Sequence, residues 1–236
     1  MRATDYARPP RRALLGAVAL LSMAAVAAGD PGEPAADVSP RREASDALRA
    51  KLATPLQLNS AGEAELRKTL AQLARAVDAE LFVDRRIDPT TRIRLSVGET
   101  SFGQVLDLLA EQAGAEWAAA GDLIYVGPPG TRQGLPVALR DARRRVAKLN
   151  GRSRRAWRAK RAIDWERLAT PRALVERTVA QAGWRLDDAD AVPHDLWPAG
   201  ATPEMPLGER MTVLLYGFGL DWRPEQRGRT VAIVPR

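Results

Sequence analysis

The sequence predicts an α+β fold made of two tandem β-α-β-β-α-β-β modules, each packing two helices with small sheets, joined by a basic helical linker. Three observations carry this. Residues 102–117 align without gaps on 207–222, with Gly103/Gly208, Leu109/Leu214, Gly114/Gly219 and Trp117/Trp222 identical. Helix-type apolar stripes alternate with short strand-like runs around both copies. A segment dense in Lys and Arg lies between them.

The elements follow in order. Arg2, Arg8, Arg11 and Arg12 precede an apolar run, Ala13 to Ala28, that ends in small residues. A basic start, an apolar stretch and an Ala-x-Ala site read as a secretory signal peptide over 1–28, cleaved after about Ala27. Left uncleaved, the same run would be an N-terminal anchor. Residues 29–52 read as a polar, Pro-rich tail. In the first module, 53–128, Pro55 to Asn59 alternates as a strand, and Ser60 with Glu63 has the spacing of a capping box opening a helix. Leu66, Leu70, Leu73 and Val77 form its buried stripe. Leu81-Phe82-Val83 is β-prone, Asp88-Pro89 turns, and Ile93, Leu95 and Val97 alternate with polar residues. Ser101 and Gln104 form a second capping box ahead of a helix stopped by Gly114. Ala115–Ala119 and Leu123–Val126 then close a hairpin about Gly121-Asp122.

The linker, 129–161, reads as a helix from Val137 to Leu149 with Leu139, Ala142, Val146 and Leu149 on one stripe. A break at Asn150-Gly151 follows, then a short helix capped by Ser153 and carrying Arg154, Arg155, Trp157, Arg158, Lys160 and Arg161. In the second module, 162–236, Ile163, Trp165 and Leu168 mark a strand, and Thr170-Pro171 caps a helix ended by Gly183. Trp184 and Leu186 continue as a strand. Asp187 to Pro206 is Pro- and Asp-rich, a helix runs from Leu207 to Tyr216, and Leu220–Arg223 pairs with Arg229–Val234.

Phe82-Val83-Asp84-Arg85-Arg86-Ile87, Ile93-Arg94-Leu95-Ser96-Val97, Ser101-Phe102-x-x-Val105-Leu106-x-Leu108-Leu109 and Gly121-Asp122-Leu123-Ile124-Tyr125-Val126 resemble the short N-terminal domain shared by secretins and TonB-dependent receptors. The resemblance spans about 55–128 well and 163–235 loosely. It implies a periplasmic docking module. No barrel or secretin ring domain follows here, so pore formation and transport do not carry over.

Charge narrows the partners. The formal net is +7, of which residues 1–28 contribute +3 and 131–161 contribute +11, so the rest is about −7. The basic segment can rest as a solvated face, meet an acidic partner or anionic lipid, or bind nucleic acid, for which export leaves little opportunity. The residues expected to contact a partner are Arg140, Arg143, Arg144, Arg154, Arg155, Trp157 and Arg158, with Trp197 in the Pro-rich loop as an exposed anchor. The chain has no Cys and one His, which removes disulfides, thiolate metal sites and paired-imidazole mechanisms. Asp187-Asp188-Ala189-Asp190 with His194-Asp195 is the one ligand-like cluster, and it lacks the Gly and bidentate Glu of a calcium loop. Glu111, Glu116, Glu204 and Glu209 fall on surfaces by pattern, and no Gly-x-Ser-x-Gly occurs. The expectation is a non-enzymatic, periplasmic docking or adaptor protein of an envelope machine, secretin- or TonB-linked, without cofactor. The alternative is a tether that holds an acidic envelope surface through 131–161.

Overall fold

A computed structural model describes residues 39–236, apart from the side chains of residues 58–62 and Val97. The expected signal peptide and the first part of the tail lie outside the described residues.

In chain order the elements are α1 (Asp46–Leu52), β1 (Pro55–Glu65), α2 (Leu66–Ala76), β2 (Glu80–Val83), β3 (Arg92–Ser101), α3 (Phe102–Gln112), β4 (Glu116–Ala120), β5 (Leu123–Gly127), α4 (Thr131–Ala147), α5 (Gly151–Arg158), β6 (Lys160–Trp165), α6 (Pro171–Gln181), β7 (Arg185–Leu186), β8 (Gly200–Pro206), α7 (Leu207–Tyr216), β9 (Leu220–Glu225) and β10 (Thr230–Pro235). In the first half β1 pairs with β3, and a second sheet runs β2-β5-β4; in the second half β6 pairs with β8, and the order is β7-β10-β9. In both three-stranded sheets the first strand is parallel to the central one and the hairpin partner is antiparallel.

The repeated residues have physical duties. The Trp117 indole donates to Asp107 at 2.8 Å, and the Trp222 indole donates to Thr212 at 3.2 Å, the corresponding position of the other copy. Gly114 and Gly219 hold φ of 58° and 67°, which terminate their helices in the left-handed region that glycine tolerates. Gly103 and Gly208 sit where a third element crosses the helix start: a Cβ would strike Arg41 in one and Val146 in the other.

Local chemistry decides several boundaries. Ser101 and Gln104 form the expected capping box, and Thr170 caps α6 with Pro171 in its first turn. No helix starts at Ser60. β1 continues to Glu65, and the Leu66 N–H is met instead by the Thr91 carbonyl at 2.9 Å. The stripe Leu66, Leu70, Leu73, Val77 is buried as expected. α5 is capped by Asn150, whose side chain accepts from the Ser153 N–H at 3.0 Å, and not by Ser153. Lys160 and Arg161 belong to β6 and not to that helix. Leu168 lies beyond β6, exposed, at φ 71°. The end of the expected tail is a helix, α1, capped by Ser45 and burying Leu48 and Leu52 against the first-half core.

The described residues pack as one compact unit. The run Leu123-Ile124-Tyr125-Val126 is buried throughout because its sheet is covered on both faces. Ile124 and Val126, with Ala119 and Trp117, face α2 and α3. Leu123 and Tyr125, with Ala118 and Ala120, join a cluster that includes Leu135, Leu139, Ala142 and Val146 of α4 and the interior of the second half. The basic segment is therefore also a core helix. Each Leu or Val it buries contributes on the order of 1.5–3 kcal/mol.

A buried carboxylate lies at the junction of the halves, near Gly217. Asp84, fully buried at the end of β2, accepts from the Tyr125 hydroxyl at 2.6 Å, from Arg86 Nε at 3.0 Å and Nη2 at 2.6 Å, and from the Arg86 N–H at 2.9 Å. Burial, then the Asp84 charge and hydrogen bond, push the Tyr125 hydroxyl well above its usual pKa. Tyr216 of α7 meets Tyr125 edge-on at 5.5 Å, with the Arg86 guanidinium 5.7 Å from its ring centre.

Candidate functional site

The two three-stranded sheets end in edges with different fates. In the first sheet the β4 edge is occupied: the Ala119 N–H donates to Pro40 and the Gly121 N–H to Glu43, at 2.8 and 3.0 Å. Among the described residues the other edge, β2, pairs only with β5. The Asp84 N–H donates to Val126 at 2.8 Å, so by the alternation of a parallel ladder Glu80 and Phe82 also direct their backbone groups at β5. Leu81 and Val83 turn theirs outward. Unpaired edge groups of this kind accept a further strand.

β2 lines a groove of about 750 Å³ between the halves. One wall is α2, with Arg67, Ala71, Ala74 and Arg75. The other is the segment Asp195–Ala201 with Trp165 of β6. Its aromatic side is a cluster: Phe82 meets Trp197 at 5.2 Å and Trp165 at 6.3 Å, both near edge-on, and Trp197 stacks on Phe218 at 6.1 Å. Leu196 stands exposed at the rim.

One ion pair spans the halves at this groove. Arg85 Nε donates to Asp195 at 2.8 Å, and its guanidinium lies 5.0 Å from the Phe218 ring centre. Asp195 also accepts from the Leu196 N–H at 2.9 Å and the Trp197 indole at 3.2 Å, which fixes the loop. Burial raises the Asp195 carboxyl, but the bonds from Arg85, Leu196 and Trp197 outweigh it and hold the group below the ordinary aspartate range. A lowered folded value means that the pair's stabilisation is complete above the unfolded value and is lost as pH falls through the folded one. An NMR titration of Asp195 is expected to give a midpoint below that of a free aspartate, and Arg85→Gln to move it upward. An unchanged midpoint in the variant would show that Arg85 does not set it.

The α2 wall is charged differently. Arg67 is half-buried, its Nε has no hydrogen-bond partner among the described residues, and burial alone lowers its pKa. Arg75 is exposed and makes no ion pair among the described residues.

The residues expected as contacts divide sharply. Trp197 is not an exposed anchor: it is 7% exposed and packs in the aromatic cluster. Trp157 is fully buried, stacked on Trp222 at 4.8 Å. Arg143 is held by Glu209 (3.0 and 2.9 Å) and Glu43 (2.6 Å), so Glu209 is a buried partner and not a surface carboxylate. Arg144 pairs with Asp141 at 3.5 Å, and Arg140 is half-buried. Arg154, Arg155 and Arg158 are exposed on α5, away from the groove. The acidic turn is structural. Asp188 accepts from the Asp190 and Ala191 N–H groups, and Asp190 pairs with Arg172 at 2.7 Å. No group of three His, Asp or Glu gathers as a metal site among the described residues.

Sequence reading missed Arg67, Arg75, Arg85 and Phe82 as groove residues. The available signal was the Arg67-Ala71-Arg75 row, which flanks the buried stripe of α2 at i, i+4, i+8. No described helix is long and apolar enough to cross a membrane. No protein-family model matches the chain, and no characterised protein or solved structure shows significant similarity to it.

Proposed function

We propose that the protein is a non-enzymatic docking protein of the cell envelope, exported to the periplasm, whose two halves derive from one module like the short N-terminal domain of secretins and TonB-dependent receptors. Its groove accepts an extended segment of a protein partner. The observation that carries this reading is the unpaired edge of β2 lying inside an aromatic-lined groove between the halves. A strand laid there gains main-chain hydrogen bonds from β2 and buries alternate side chains, the usual basis of strand-addition recognition.

A second reading rests on a separate surface. Lys148, Arg152, Arg155, Arg158, Lys160 and Arg161 are exposed and have no acidic partner among the described residues, whereas Arg143, Arg144 and Arg145 do. This face suits an acidic envelope surface, with the protein as a tether.

Photo-crosslinking in intact cells separates the two. A photoreactive residue at position 196 is expected to attach one envelope protein through a single extended stretch, and the adduct yield to survive about 0.5 M salt. Screening within less than about 8 Å would instead abolish a charge-driven contact. Cross-links only from position 155, lost in salt, would overturn the docking reading in favour of the tether.

A further inference from the structure

The groove carries a pattern more specific than an open edge. An added strand would lie between α2 on one side and the Trp165/Trp197 cluster on the other, so its side chains must alternate between those walls, as those of β2 do. Phe82 points to the aromatic cluster, whereas Leu81 and Val83 pack with the α2/α3 core. On the α2 wall the row reads Arg67, Ala71, Arg75. Eight helical residues separate the two arginines by about 12 Å along the axis, and four residues of extended chain span about 13 Å. α2 reverses through Val77 to Ala79 into β2, with the Ala79 N–H bonded to Ala74 at 2.8 Å, so helix and strand run alongside each other.

The charges complete the pattern. Arg85 is already satisfied by Asp195. Arg67 and Arg75 have no counter-ion among the described residues, and Arg67 is half removed from water with an orphaned Nε. A buried guanidinium donor without an acceptor is costly, and a carboxylate is its best partner. Ala71 between the arginines is uncharged and apolar, so nothing there calls for a charge opposite.

We infer that the groove selects an extended segment of a partner protein with two carboxylates four residues apart, in the order acidic, apolar, uncharged, apolar, acidic. The carboxylates meet Arg67 and Arg75, the uncharged residue faces Ala71, and the apolar pair covers Phe82, Trp197 and Leu196. This rests on the reading of the groove as a strand acceptor.

The test uses the full chain and labelled nine-residue peptides with the core Glu-Val-Ala-Val-Glu, the core Gln-Val-Ala-Val-Gln, and a core with both acids shifted by one position onto the opposite face. Fluorescence anisotropy should show the first bound at least tenfold tighter than the other two. Arg67→Gln and, separately, Arg75→Gln should each remove about threefold of that preference while leaving the thermal midpoint nearly unchanged. Arg75 is exposed, so its variant keeps the test sound if Arg67→Gln weakens the fold. Equal binding of the acidic and amide peptides would overturn the acidic preference and leave the groove as a strand acceptor. Failure of all three peptides to bind the folded chain would overturn both.

Discussion

Trp157→Ala is expected to cost about 3–5 kcal/mol of folding stability, the range for removing a large aromatic side chain from a core. The indole is wholly buried, stacked on Trp222 with planes 15° apart and edge-on to Trp184 at 5.7 Å. It also lines a cleft of about 310 Å³ beside α4 and the start of α7, so neighbouring side chains have little to collapse onto. For a unit of this size each kcal/mol moves the midpoint by about 2–4 °C, which predicts a fall of roughly 6–20 °C by calorimetry. Trp157→Phe should retain most of the stacking, and since the indole N–H has no partner among the described residues, should lose less than about 1.5 kcal/mol. A Trp157→Ala variant of unchanged midpoint and impaired partner binding would restore Trp157 as a contact residue.

The second large effect is expected at Asp84. Asp84→Ala removes the one acceptor shared by Arg86 and Tyr125 and leaves the phenol unpaired in the core beneath α4. Breaking a buried pair costs about 3–5 kcal/mol. Arg86 is 39% exposed and can rehydrate, which places the expected loss near the lower end, about 3 kcal/mol by urea denaturation. Arg86→Gln should lose less, and Tyr125→Phe about 1 kcal/mol. A double-mutant cycle between Asp84 and Tyr125 should return a coupling of about 1 kcal/mol or more; additivity would mean that the two groups stabilise the junction separately. Because Gly217 of the second half approaches the Asp84 carboxylate closely, the loss is also expected to raise amide exchange at the end of α7.

What was legible in the sequence was whatever short-range chemistry fixes. Gly114, Gly183 and Gly219 stop their helices at positive φ because that conformation is a local requirement. Ser101 with Gln104, and Thr170 with Pro171, open theirs because the free N–H groups are three residues away. The hairpin about Gly121-Asp122 follows for the same reason. Ser60 with Glu63 has identical local spacing, yet no helix opens there, because the backbone continues to Glu65 as β1, paired with β3. β8 escaped notice because Pro203 and Pro206 mask a strand that only its pairing with β6 creates.

The candidate site was far less legible. The basic segment looks uniform in sequence, yet Arg143 and Arg145 are held by Glu209 and Asp221, residues more than 60 positions away, while Arg155 and Arg158 stay exposed. Trp157 and Trp197 read as contacts because burial depends on what lies opposite, and that is set by the packing of one half on the other. The groove has the same origin: Arg67, Phe82 and Trp197 are brought together by no local rule. The sequence by itself determined the α+β class, the helix stops at Gly114, Gly183 and Gly219, and the caps at Ser101 and Thr170, since each of these local features depends on groups within a few residues. Only the tertiary structure decided which arginines are neutralised, which tryptophans are core and which strand edge is left open, since those depend on long-range pairing and on shared burial between the halves.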